Sequence, residues 1–226
     1  MRTEMRSDVP LTLLPENVTA GAPDTPVTRQ LRDYFTQLYA GVAKFHDATR
    51  AIESDSTLTQ DAKIWATEQT REKMVAALTP VLDRALSLNR TAIEGAERKL
   101  AEAARPVGRS VDPREIRDHV RSLKDAAARA SFLMERAAAG DAETVHAITS
   151  APQYLSGLDV KSDAWDALVS ESRRRVAPDA AGDLDALRGM DEKLGAALES
   201  FGRYMQPDKR AASIAARVAA RTRLAS

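Results

Sequence analysis

The chain has no cysteine among its 226 residues. Disulfides, thiolate nucleophiles and cysteine-ligated zinc or iron–sulfur centres are therefore excluded together, and a reducing compartment is permitted. Aromatic residues are scarce at 4%, so a core must come from alanine, leucine, valine and isoleucine. Such side chains pack best where backbones approach closely, which favours helices over a sheet sandwich. Net charge is absent too: 33 basic side chains balance 33 acidic ones, and no overall field draws the molecule to nucleic acid or an anionic membrane. No apolar run approaches the roughly 18 residues that span a bilayer. Residues 9–14, broken by Pro10 and closed by Pro15, are too short for the apolar part of a secretory leader. A cytoplasmic protein is the expectation.

What is present is helical pattern. With 43% apolar and 29% charged residues, the chain can bury a core. Residues 1–25 carry Pro10, Pro15, Gly21 and Pro23 without a helical period and read as an extended or disordered N-terminal arm. Its Leu11, Leu13 and Leu14 are able to dock on a partner. A first helix is predicted from Thr25 or Thr28 to about Ser54, with Leu31, Phe35, Leu38, Val42, Phe45, Thr49 and Ile52 on a heptad seam. Tyr34, Phe35, Tyr39 and Phe45 make this helix the anchor of the core.

Ser56 or Thr59 caps a second helix that reaches Arg105, with a kink or fresh start at Thr79-Pro80, because a proline ring clashes with the preceding turn and donates no hydrogen bond. Asp112, Pro113 and Glu115 form a strong start signal. One helix is expected to follow through Ile116, Val120, Leu123, Ala127, Ala130, Met134 and Ala137, closed by a left-handed Gly140. Asp141 caps a short helix to about Ser150. Another helix starts at Asp159 or Ser162, carries Trp165, Leu168, Val169 and Val176, and stops before Pro178. The next has a stripe of Leu184, Leu187, Leu194, Leu198, Phe201 and Met205, and Pro207 closes it. The predicted fold is all-α: an elongated bundle of long, kinked helices over residues 26–206, with the arm before it and a basic amphipathic helix, residues 207–226, after it.

Chemistry-bearing patterns are few. The histidines His46, His119 and His146 fall on three different predicted helices. Glu143 and His146 have the spacing of one half of a di-metal bundle site, which requires a second such pair and two more glutamates. Neither is found, so no metal and no cofactor are expected. Phosphate-cradling glycine loops, GxSxG and HExxH are absent, which leaves nucleotide binding, hydrolysis and metalloproteolysis without support. A non-enzymatic protein is expected.

Interaction residues are easier to nominate. Arg173, Arg174 and Arg175 form a basic run, and residues 203–226 carry six basic residues against Asp208 alone. Lys209, Arg210, Arg217, Arg221 and Arg223 could meet an acidic protein groove, a membrane surface or nucleic acid, although no aromatics stand among them to stack on bases. The stretch APQYLSGL, residues 151–158, joins two helices. Pro152 stops one, Ser156-Gly157 turns, and Tyr154 and Leu155, with Trp165, are expected mainly to plug the end of the bundle, with docking as the lesser role.

That segment resembles a pattern in uncharacterised helical proteins of bacteriophages and prophages. The matching positions are Ala151, Pro152, Tyr154, Leu155, Ser156, Gly157 and Leu158, followed by Arg173, Arg174, Arg175, Pro178 and Leu184, within about residues 141–205. The resemblance implies a phage structural or assembly protein, in the host cytoplasm or the virion, with no catalytic residue to carry over. Its partners would be copies of itself or other phage structural proteins. The alternative is a nucleic-acid-binding regulator or packaging accessory using the basic C-terminal helix.

Overall fold

A computed structural model describes residues 5–106, 108, 111–158, 162–214 and 216. They form eight α-helices: α1 (Pro15–Val18), α2 (Pro26–Ser54), α3 (Gln60–Ala103), α4 (Pro113–Ser122), α5 (Ala126–Ala138), α6 (Ala142–Thr149), α7 (Ser162–Val176) and α8 (Pro178–Met205). Residues 209–214 are helical as well, and no strand occurs among the described residues. The all-α class is as expected. The single bundle over residues 26–206 is not: the chain divides into two compact units, Met1–Ala92 with Leu187–Ser226, and Ile93–Ala186.

In the first unit, Thr25 caps α2 by accepting the Thr28 backbone N–H (3.1 Å), and Pro26 occupies the first helical position, where a missing N–H is harmless. Leu31, Phe35, Leu38 and Val42 are buried, so the predicted seam is the core face of α2. Helix α3 supplies Met74, Leu78, Val81, Leu82 and Ala85, and α8 supplies Met190, Leu194, Ala197 and Phe201. Burying Phe35, Leu194 and Phe201 contributes about 1.5–3 kcal/mol each. In α8 the buried stripe lies along 190, 194, 197 and 201, whereas Leu198 and Met205, expected inside, face solvent. Each lies one turn beyond a buried residue, 194 and 201, so the helical period sets both at the edge of the buried stripe, and the packing around α8 leaves that edge open.

The expected extended arm is also corrected. Residues 11–13 form a 3₁₀ turn, α1 follows at once, and Val9, Leu13, Leu14 and Val18 are buried in the same core. Pro10 and Pro15, read as breakers, instead stand immediately before the 3₁₀ turn and at the first position of α1, where proline is compatible with a helical start. Pro80 lies inside α3, which is neither stopped nor restarted there. The Ala76 carbonyl loses its usual helical donor at this point, and the Thr79 hydroxyl donates to the Val75 carbonyl (2.8 Å).

In the second unit, α5 packs against α6 and α7, and α4 packs against α6 and a 3₁₀ turn, Gln153–Ser156. Val120, Leu133, Ala137, Val145, Ile148 and Leu158 form its core, with Phe132, Trp165 and Leu168 against it. The one helix expected over residues 113–139 is two. Asp125 accepts the Ala128 N–H (2.8 Å) and so starts α5 as a fresh helix after Ser122. Asp112 caps α4, Asp141 caps α6, and Gly140 takes the left-handed conformation (φ 72°), all as predicted.

Candidate interaction surfaces

The turn that follows α6 is held from below. Pro152 cannot extend the helix, Gly157 is left-handed (φ 67°), and Leu158 beyond it is fully buried. The Arg129 guanidinium donates to the carbonyls of Gly157 (2.7 Å), Leu123 (3.0 Å) and Arg121 (3.1 Å). One side chain thus ties the turn to the end of α4. The left-handed φ favours glycine at 157, and a Cβ there would stand 3.1 Å from Arg129 Nη1, close enough that the guanidinium would have to shift by a few tenths of an ångström. Tyr154, at the crest, is 70% exposed and does not plug the bundle. Leu158 does that, while Leu155 is half-buried and Trp165 packs on the unit's core.

The basic run on α7 is largely spoken for. Arg174 pairs with Asp185 and lies 4.0 Å from Glu171, and Arg175 pairs with Glu171 (2.9 Å). The Asp185 hydrogen bond holds the Arg174 pKa above its ordinary value. Arg173 is half-buried. These residues lie in the second unit, whereas Lys209 and Arg210 lie in the first. Arg217, Arg221 and Arg223 fall outside the described residues.

Lys209 and Arg210 sit on an anchored helix start. Asp208 accepts the Arg210 N–H (2.7 Å), Ala211 and Ile214 are buried, and both basic side chains are exposed. The anchor is a pair on α3. Arg71 grips Glu68 with two nitrogens (2.6 and 2.9 Å) and donates from the third to the carbonyls of Tyr204 (2.8 Å) and Met205 (3.3 Å). A cation thereby meets the open carbonyls at the C-terminus of α8, where the helix dipole favours positive charge. Glu68 in turn accepts the Asp208 N–H (3.4 Å). The Arg71 hydrogen bond holds the Glu68 carboxyl below its ordinary pKa, against the opposing effect of burial.

Also in the first unit, Arg6 binds Asp8 (2.9 Å) and Asp47 (2.7 Å), Arg50 also pairs with Asp8, and the Arg6 N–H donates to the Tyr39 hydroxyl (2.7 Å). The Arg6 hydrogen bond is the main reason the Asp8 pKa is lowered to about 2.

Two concavities bear on contact. In the second unit a cleft of about 290 Å³ includes Glu115, His119, Phe132, Arg136 and Asp141, with the His119 ring edge-on to Phe132 (5.3 Å) and Arg136 over that ring (5.0 Å). In the first unit a groove of about 590 Å³ runs along α2 and α3. Phe45, Met74 and Leu78 lie beneath it, Ala40, Ala48 and Ala77 line it, and its charged lining residues are Lys44 and Lys73. Among the described residues no three His, Asp or Glu side chains cluster closely enough to hold a metal ion, and no helix is long and apolar enough to cross a membrane. No protein-family model, curated protein or solved structure matches this chain.

Proposed function

We propose that this is a non-enzymatic assembly protein of a bacteriophage, acting through helix-borne contacts with other structural proteins. The phage part of the reading rests on the resemblance carried by residues 141–205. The observation that supports a contact role is Tyr154. Ser156 and Leu158 are buried and Gly157 is tied down by Arg129, yet the tyrosine between these anchors and Pro152 projects into solvent. An amphipathic ring held out on a braced turn loses little freedom on binding, and such rings are the residues that dominate protein contacts. A photo-crosslinking amino acid placed at Tyr154, in the cells that make the protein, is expected to capture one discrete polypeptide, while the same group at the exposed Asp163 captures none. Equal, diffuse labelling from both positions would reject a contact role for the turn.

A second reading, nucleic acid held by the basic C-terminal helix, draws on Lys209 and Arg210. Both face solvent from a helix whose Ala211 and Ile214 are buried, so their charge is presented from a fixed start. It predicts duplex binding that weakens with salt. Replacing both by glutamine would lower the slope of log affinity against log salt by about 1.8, at ~0.9 per phosphate contact. An unchanged slope would remove these two residues from the account.

A further inference from the structure

We propose that the groove along α2 and α3 seats an acidic amphipathic helix of a partner protein. The inference rests on the contact reading above and gives it a second, separate surface. Helices α2 and α3 come together at Gly41, where even a Cβ would stand 2.7 Å from both Leu78 methyl carbons. Beside this close approach the lining is small: Ala40 and Ala77 are exposed and Ala48 is half-buried. Elsewhere the outward positions of α2 carry Arg29, Arg32, Asp33, Asp47 and Arg50, so an alanine-lined trough is a local departure from a charged surface. Small side chains on both walls let a third helix approach to the 8–10 Å at which helix axes pack. The apolar floor of Phe45, Met74 and Leu78 then receives one face of it.

Charge selects the occupant. Lys44 and Lys73 border the groove from opposite helices, and no carboxylate lines it. A helix with glutamates flanking an apolar stripe would place one acid against each lysine, and a basic helix would meet like charge on both sides. A second copy of this chain is the poorer fit. Its acid-rich helix, α8, already buries its apolar face, Leu194, Ala197 and Phe201, in its own core.

The test uses the full chain and three synthetic 20-residue helical peptides sharing one leucine–alanine stripe: one flanked by glutamate, one by lysine, and one glutamate-flanked with its stripe scrambled. Fluorescence anisotropy is expected to show binding of the first only, weakening severalfold between low and physiological salt. Ala77→Arg, at an exposed site, should abolish binding with helical content and Tm unchanged. Lys44→Glu with Lys73→Glu should weaken the acidic peptide at least about tenfold and admit the basic one. Equal binding of all three peptides, or none, would overturn the proposal. So would self-association of the chain that Ala77→Arg abolishes, since a second copy would then be the occupant. Tyr154→Ala must leave peptide binding unchanged, so failure here and failure of the braced-turn reading are separately visible.

Discussion

Arg129 is half-buried and serves three carbonyls that no lysine could reach together, because an ammonium lacks the flat, forked set of donors. Arg129→Lys is expected to destabilise the second unit by about 2 kcal/mol in chemical denaturation, the scale of a charge-assisted hydrogen bond lost from partners left without it. Asp8 makes a prediction of a different kind. Its folded pKa is lowered from 3.8 to about 2, so its ion pairs stabilise the first unit fully above the ordinary carboxylate range and are lost as pH falls from about 4 toward 2. Protection of the backbone amides around residues 6–9, taken relative to the intrinsic exchange rate at each pH, should fall over that window, and Asp8→Asn should make it low and independent of pH across it. Neither residue was singled out in the sequence. Arginines here number many, and only coordinates show which of them faces carbonyls instead of water.

The elements were far more legible. Thr25, Asp112 and Asp141 sit before helical runs with the side-chain chemistry that serves free N–H groups, and each caps the helix expected of it. Where reading failed, two signals competed. Asp125 is as good a cap as Asp112, but the apolar period runs on through Leu123 and hid the break. Pro80 argued for a kink or a fresh start, and the fresh start does not occur: the packing of Leu78, Val81, Leu82 and Ala85 in one core outweighed the lost hydrogen bond. Within α8 glycine offers an opening for engineering. A Cβ at Gly195 or Gly202 would meet nothing within 4 Å. Each Gly→Ala there should raise stability by about 0.5–1 kcal/mol, whereas Gly41→Val should lower it by about 2 kcal/mol through overcrowding of Leu78. The Glu68–Arg71 pair joins two elements. With side chains only 7% and 13% exposed, it should cost roughly 3 kcal/mol to break by Glu68→Ala, since a cation is left without its partner. Its contribution is complete above the ordinary glutamate pKa of 4.5 and fades as acid protonates Glu68 below that value.

At the scale of the molecule, the helical class followed from composition and period, but the division into two units did not. No glycine- or proline-rich linker marks the boundaries near Ala92 and Ala186, because both fall inside helices, α3 and α8. The two apolar clusters share no residue. Phe201→Ala should therefore loosen amides of the first unit, and Leu133→Ala those of the second, at about 3–5 and 2–5 kcal/mol. The surfaces proposed for contact were half legible. Tyr154 stood out as an aromatic in a turn, though its exposure depends on which neighbour, Leu155 or Leu158, turns inward. The alanine-lined groove could not be read, because exposed and buried alanines look alike in a sequence.

The grip of Arg71 on the last carbonyls of α8 also governs what lies downstream. Asp208 leaves from a point fixed by Glu68, and the turn after it is seated by Ala211 and Ile214. A rigidly attached dye at the exposed Ser213 should rotate with the body of the protein, its polarisation decaying as a single slow process. In Arg71→Met, a rapid wobble should be added to that decay.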